Sequence, residues 1–349
     1  MMSARRVTVC GAGQQGLAMA AHLALNGERV AIWNRTFDHI SNLAAGGKIS
    51  LTGVIRGNVP VDCATSNVHE ALSDLVMVVT PASAHRDIAK MLAPYVHPEM
   101  LIVLNPGRSF GAIEFYNTLV EFEHRQLPVV AETQTIVYTC RRTSDYGVHV
   151  YALKKEVPLA AIGMEAGNVI DRLPLCLKEY FKPVNSVLET SFANVGMILH
   201  CAPVLMNVGW IETDKVDFKY YYDGISRSIA EFLQECDNER LATAAAYGVK
   251  VESLIEWLKR VYGAVGDTIH QCIASTAVYK EIDAPSRIDC RYITEDVPCG
   301  LVPIECAARA KGVASKHISL LIDLANALLK TDFRKSGRTC MTARVGGLV

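Results

Sequence analysis

Three glycines, Gly11, Gly13 and Gly16, share the spacing Gly-x-Gly-x-x-Gly within Gly11-Ala12-Gly13-Gln14-Gln15-Gly16. In that spacing the first glycine permits a tight turn and the second lets the backbone approach a pyrophosphate. The third allows a helix to pack closely on a strand. The string alone is a weak signal. Here it follows the apolar run Arg6–Cys10 and opens the helix-forming stretch Gly16–Asn26, the context that makes it a dinucleotide site. Amides at that helix start, with the helix dipole behind them, favour the negative charge of phosphates. At the end of the next apolar run, Arg29–Trp33, an acidic residue would take both hydroxyls of the adenosine ribose. The chain has Asn34-Arg35-Thr36 instead. Arg35 can face a 2′-phosphate, with Asn34 and Thr36 donating hydrogen bonds, so NADP(H) is expected in preference to NAD(H).

Further candidates stand where later apolar runs end. Thr80-Pro81 closes Leu75–Thr80, and Asn105-Pro106-Gly107-Arg108 follows Met100–Leu104. Ligands of parallel sheets bind at the carboxyl ends of the strands. Thr80 and Pro81 are therefore expected at the cofactor, and Arg108 is a candidate for an acidic substrate group. In the second half, His200 lies inside Thr190–Ile211, a stretch with no charged residue. Taken alone, such a histidine reads as a satisfied core residue. Arg291 to Pro303, RYITEDVPCGLVP, is a charged cluster leading into an apolar turn. Taken alone, Asp296 in it reads as a helix N-cap or an ion-pair partner of Arg291.

The elements that must position these residues alternate in the first half. Strand, glycine turn, helix and strand form a βαβ unit. Leu75–Thr80, Met100–Leu104 and the run from Val129 continue it as buried strands, and Ile49–Ile55 and Val59–Cys63 are short extended pieces. Val148–Leu153 is expected to extend the same sheet. This is a doubly wound α/β pattern. After about Phe181 helical patterns take over: Ser226–Cys236, Glu239–Tyr247, Val251–Val261, Gly266–Val278, Val302–Lys311 and His317–Leu329. The boundary is placed at Pro183, giving domains over 1–183 and 184–349.

The chain has 349 residues and a net charge of -1, which argues against a nucleic-acid partner. Its eleven cysteines form no CxxC pair and no zinc-type cluster, so no metal is expected and a reducing, cytoplasmic compartment fits best. Met1 to Arg6 is basic but runs directly into a strand and a glycine turn, so no secretory signal is expected. The uncharged stretch is long enough to cross a bilayer. Asn194, Gly196, His200, Pro203 and Asn207 within it fit a buried helix better, and no membrane partner is expected.

Several segments together resemble the opine dehydrogenases, the octopine/nopaline dehydrogenase family. They are GAGQQG with AMAAHLAL, NPGR, ETQTIVYTCR from Glu132, NVGMILHCAP, YYYDGIS from Tyr220 to Ser226, RYITEDVPCGLVP, and SGRT from Ser336 to Thr339. Each is modest; their order along the chain is specific. The resemblance implies a Rossmann-type domain followed by an all-α domain of the 6-phosphogluconate-dehydrogenase C-terminal type. It implies reductive joining of an amino acid to a 2-oxo acid through an imine, with NADPH or NADH. It places the catalytic histidine on His200 and its carboxylate partner on Asp296. It makes Arg291 the substrate-carboxylate anchor and puts Gln134 and Thr135 near the amino-acid substrate, leaving Arg108 for the second carboxylate. A histidine suits this chemistry because its proton moves near neutrality. A guanidino donor would call for an acidic contact, for which Glu132, Glu212 and Asp214 are possible sources. The apolar stripes of the helical domain permit a homodimer. Two other readings fit the residues. One is a 2-oxo- or hydroxy-acid reductase of the ketopantoate reductase or glycerol-3-phosphate dehydrogenase kind, whose usual lysine acid is missing from the uncharged stretch. The other is a sensor that binds NADP(H) without turnover.

Overall fold

A computed structural model describes residues 5–122, 127–213 and 217–339. The chain divides into two compact units with the break between Thr190 and Ser191, seven residues beyond the expected Pro183. The displacement has a local cause. Phe181–Pro183 is itself a strand, Val184 N donates to Leu159 O at 3.0 Å, and Thr190 Oγ1 donates to Glu132 Oε1 at 2.6 Å.

The described residues of the first unit form twelve strands: β1 (Arg6–Cys10), β2 (Arg29–Trp33), β3 (Lys48–Gly53), β4 (Gly57–Pro60), β5 (Cys63–Thr65), β6 (Leu75–Val78), β7 (Leu101–Leu104), β8 (Val129–Thr133), β9 (Tyr138–Ser144), β10 (Gly147–Leu153), β11 (Val157–Ile162) and β12 (Phe181–Pro183). Eight form one sheet in the order β12-β11-β8-β7-β6-β1-β2-β5, parallel except where β11 runs against β8. Its central strands are buried along their length, which is why they read as unbroken apolar runs. The chain order turns back at β1, so the ends of β1 and β6 flank the crevice where such sheets bind nucleotides.

One expectation fails here. Val148–Leu153 does not extend the main sheet; it is β10 of a separate four-stranded sheet, β4-β3-β10-β9. The helix Gln14–Leu25 packs against β1 and β2 and also against β3, β4, β9 and β10 of this second sheet. Every residue from Gly16 to Leu23 is consequently buried. A helix that is apolar all round is one covered on both sides, and AMAAHLAL is such a helix. Its one polar member, His22, is satisfied by Tyr138 of β9, with Nδ1 3.0 Å from the hydroxyl.

The second unit is built on the helices Gly196–Met206, Arg227–Ala246, Leu254–Tyr262, Ile269–Ser275, Val302–Ala310 and Lys316–Leu329. Two expected segments, Ser226–Cys236 and Glu239–Tyr247, are one continuous helix. The polar residues at their junction are internal: Asp237 and Arg240 are fully buried and paired at 2.7 Å. Asp237 Oδ2 also accepts from Leu254 N, while Arg240 donates to the carbonyls of Phe192 and Glu252. That pair ties three segments together. In the apolar segment Val187–Met206, which overlaps the uncharged stretch, 72% of an 18-residue window is buried inside the protein.

Candidate active site

The glycine turn of the first unit is shaped by two of its glycines and left open by the third. Gly11 has φ 111°, and a Cβ on it would meet Val79 O at 2.7 Å. A Cβ on Gly16 would lie 1.9 Å from Gly11 O, so the helix cannot approach the strand with any side chain there. Gly13 is different. Its φ of -70° suits any residue, and a Cβ there would meet nothing within 4 Å. None of the described residues requires glycine at 13, and the open ground before it is what a close-lying pyrophosphate needs. Thr80 Oγ1, beside Gly11, is buried with no hydrogen-bond partner among the described residues, a polar atom facing this end of the sheet. These features fit a dinucleotide.

Asn34 braces the turn: its Oδ1 accepts from Ala12 N at 3.1 Å and its Nδ2 donates to Thr36 O at 2.8 Å. Arg35 is exposed, and none of the described residues pairs with its guanidinium. Gln14 and Gln15 face β9. Gln14 Oε1 accepts from Arg142 N at 3.4 Å, and Gln15 Oε1 lies 3.4 Å from Cys140 Sγ. The Arg142 side chain reaches the turn itself, with Nη2 donating to Ala12 O at 2.9 Å. Pro81 is exposed at the end of β6.

The loops after β7 and β8 run side by side because those strands are parallel neighbours. Gly107 N donates to Thr133 O at 3.1 Å, and Glu132 packs where a Gly107 side chain would stand. Arg108 has φ 60°, a left-handed conformation that a non-glycine residue adopts only when its surroundings hold it there. Gln134 is buried and Thr135 half-buried beside this loop. Lys154, unremarked in the sequence, donates to Ile136 O at 2.9 Å. Burial pulls its ammonium down to about 8, and the positive charge of Arg108 acts in the same direction. Glu132 is fully buried, and its carboxylate accepts from Ala112 N and Thr190 Oγ1 at 2.7 and 2.6 Å. Glu212 is exposed, and Asp214 lies outside the described residues.

In the second unit two residues 96 positions apart meet. His200 Nδ1 lies 2.8 Å from Asp296 Oδ2, with the carboxylate buried and the imidazole side chain 20% exposed. His200 sits one turn before Pro203, which has no N–H to offer the Leu199 carbonyl. The Tyr220 hydroxyl comes to that spot, 2.5 Å from His200 O and 3.5 Å from Leu199 O. Asp296 is carried between the short helix Arg291–Thr294 and a single π-helical turn, Val297–Leu301. Gly300 sets the approach of the two segments, since a Cβ there would stand 2.7 Å from Met197 Cβ. Gly337, in the SGRT segment, abuts Pro298 in the same way, and Arg338 N donates to Pro298 O at 2.9 Å. The Tyr292 ring stacks on the imidazole, centroids 4.3 Å apart and planes 15° apart. His200 Nε2 has no partner among the described residues. Arg291 pairs with Glu295 rather than Asp296 and keeps its side chain 56% exposed. The ring is thus fixed by a carboxylate on one nitrogen and an aromatic face on one side, with the other nitrogen presented outward.

A parallel sheet with an open glycine turn, joined in one chain to a helical unit carrying an oriented imidazole, defines an NAD(P)-binding dehydrogenase. Comparison with known proteins narrows the class. The NAD-dependent glycerol-3-phosphate dehydrogenase N-terminus family matches residues 6–107, and the NAD/NADP octopine/nopaline dehydrogenase alpha-helical domain matches 183–329. An opine dehydrogenase of Arthrobacter sp. (strain 1C) is 34% identical over 100% of this chain and 97% of its own length. The chain belongs to the opine dehydrogenase family, oxidoreductases acting on CH–NH bonds. Solved structures share the fold: octopine dehydrogenase with NADH and L-arginine (TM-score 0.79, 20% identity, 99% of this chain and 96% of that one). Yersinopine dehydrogenase with NADP+ bound does so too (TM-score 0.79, 15% identity, 98% and 95%). Family membership sets aside the hydroxy-acid reductase and the non-catalytic sensor.

Proposed function

We propose that the protein reductively condenses an amino acid with a small 2-oxo acid through an imine, with NADPH preferred to NADH, His200 as acid/base and Asp296 as its support. The observation that carries this is the 2.8 Å contact between His200 Nδ1 and Asp296 Oδ2, with Nε2 left to the reactants. Asp296 accepts from Nδ1–H, so the lone pair of the neutral ring stands on Nε2. Nε2 takes a proton from the amino acid's ammonium and returns one to the carbinolamine oxygen, which leaves as water. Bound NADPH supplies the hydride that reduces the resulting iminium. The reductive direction releases one water and takes up one proton from solution. Arg291 and Arg108, with Gln134 and Thr135, bind the substrate carboxylates, since a planar guanidinium holds a carboxylate at two points.

Arg35, exposed and without a resident partner, supports the 2′-phosphate preference. The test is to supply NADPH or NADH with amino acids, arginine first, against pyruvate, oxaloacetate and 2-oxoglutarate, and to follow absorbance. Oxidation that needs both an amino acid and an oxo acid is expected. Reduction of a lone oxo acid, with no pair consuming cofactor, would refute the assignment.

A further inference from the structure

The second sheet delivers one cation to the cofactor turn. On β9, Arg141 is opposite His149 of β10 and Arg142 is opposite Val148, and successive side chains of a strand point to opposite faces. Arg142 is the one that reaches the helix Gln14–Leu25: its Nη2 donates to Ala12 O at 2.9 Å, and its backbone N–H donates to Gln14 Oε1 at 3.4 Å. The strand is held against that helix start by Cys140, whose Sγ is 3.8 Å from Gln14 O and 3.4 Å from Gln15 Oε1. Burial pushes the Cys140 thiol up to about 11, so the sulfur is neutral and offsets no positive charge.

A carbonyl accepts one of the five N–H donors of a guanidinium and neutralises none of its charge. No described residue gives Arg142 a carboxylate. The cation is therefore fixed on the residue before Gly13, next to the open ground that Gly13 keeps clear. An uncompensated guanidinium held in place by backbone is a built half of an ion pair. The anion a dinucleotide brings to a glycine turn of this kind is its pyrophosphate. We propose that Arg142 clamps the pyrophosphate of the dinucleotide from the side of the second sheet. The inference rests on the dinucleotide site of the family and adds a charged contact to the backbone amides of the turn. It also gives β4-β3-β10-β9 a role beyond covering the helix.

Binding constants of the full-length protein for NADPH, NADH and ADP-ribose test it, with Arg142→Gln and Arg142→Lys alongside the natural chain. Gln keeps a donor for Ala12 O without the charge, and Lys keeps the charge. Arg142→Gln should weaken all three ligands by about tenfold, the size of one charge-assisted hydrogen bond. Arg142→Lys should retain most of the affinity. The Kd of the natural chain should rise with added NaCl more steeply than that of Arg142→Gln. Three results would each overturn the inference: equal affinities in all variants, a loss confined to NADPH, or equal losses for Lys and Gln, which would mean that the charge at this position plays no part. If the natural chain bound none of the three nucleotides, the dinucleotide site itself would fall; binding by the natural chain with Arg142→Gln unchanged would remove Arg142 alone.

Discussion

Among single residues, His200 shows most clearly what a sequence does and does not reveal. Its residue type and its uncharged setting are plain in the chain, but an imidazole among apolar neighbours is usually a satisfied core group. The partner that changes its meaning is 96 positions away, and only the approach at Gly300 brings it to 2.8 Å. Family resemblance pointed to the pair; periodicity and spacing had no means to. Tyr292 was missed altogether, although it lies inside RYITEDVPCGLVP, because stacking is a tertiary event with no sequence period. Removing the imidazole with His200→Ala should lower kcat by about 10²- to 10⁴-fold, the usual worth of a positioned acid/base. In Asp296→Asn the amide can donate to Nδ1, which moves the ring proton to Nε2 and deprives the reactants of a base. It should therefore fall into the same range in kcat with little change in KM. A kcat unchanged in either variant would take that residue out of the mechanism. Tyr292→Phe keeps the stacked ring and should stay near the natural rate. Tyr292→Leu should lose about 2- to 12-fold in kcat, in line with an aromatic pair worth about 0.5–1.5 kcal/mol.

At the level of elements, β1, the glycine turn, its helix and β2 were legible almost to the residue, because a buried strand and a capless apolar helix leave strong local patterns. The second sheet was not, since its strands are largely exposed, and β10 carries too few buried positions to announce its partners. The signal was present in the wrong place: a helix apolar on every face demands a second cover. The two helix-side glycines should separate stability from binding. Gly16→Ala puts a methyl against Gly11 O at 1.9 Å and should destabilise the fold by about 1–3 kcal/mol in a denaturant titration. Gly13→Ala points a methyl into open space, so it should keep the natural unfolding midpoint and weaken NADPH binding. Equal midpoints with equal NADPH affinities would mean that nothing occupies the ground before Gly13. In the helical unit, the fused helix Arg227–Ala246 depends on a buried charge being matched. Arg240→Met strands Asp237 inside and should cost about 3–5 kcal/mol, measured by urea unfolding.

Across the whole molecule, the residues proposed for cofactor binding and for proton transfer fall in different units. The glycine turn, Asn34-Arg35, Thr80 and Arg142 all belong to the unit that ends at Thr190, and His200, Asp296 and Arg291 belong to the one that begins at Ser191. The change from alternating to helical pattern made two domains readable in the sequence. The contact break falls at Thr190 rather than Pro183 because β12 and the Thr190–Glu132 hydrogen bond tie residues 181–190 to the first unit, pairings that no local pattern encodes. This division has a thermodynamic consequence. A ligand that binds only the folded state stabilises it by RT ln(1 + [L]/Kd), about 2.7 kcal/mol at a hundredfold excess over Kd. If the groups that hold NADPH lie in the first unit, its stabilising effect should not depend on the His200 imidazole. Heated with saturating NADPH, the natural protein and His200→Ala should therefore show the same upward shift in the transition of the nucleotide-binding unit, although only the former turns over. A shift that vanished with His200, in a variant whose midpoint without NADPH was unchanged, would show that nucleotide affinity depends on the helical unit and would end this separation of binding from proton transfer.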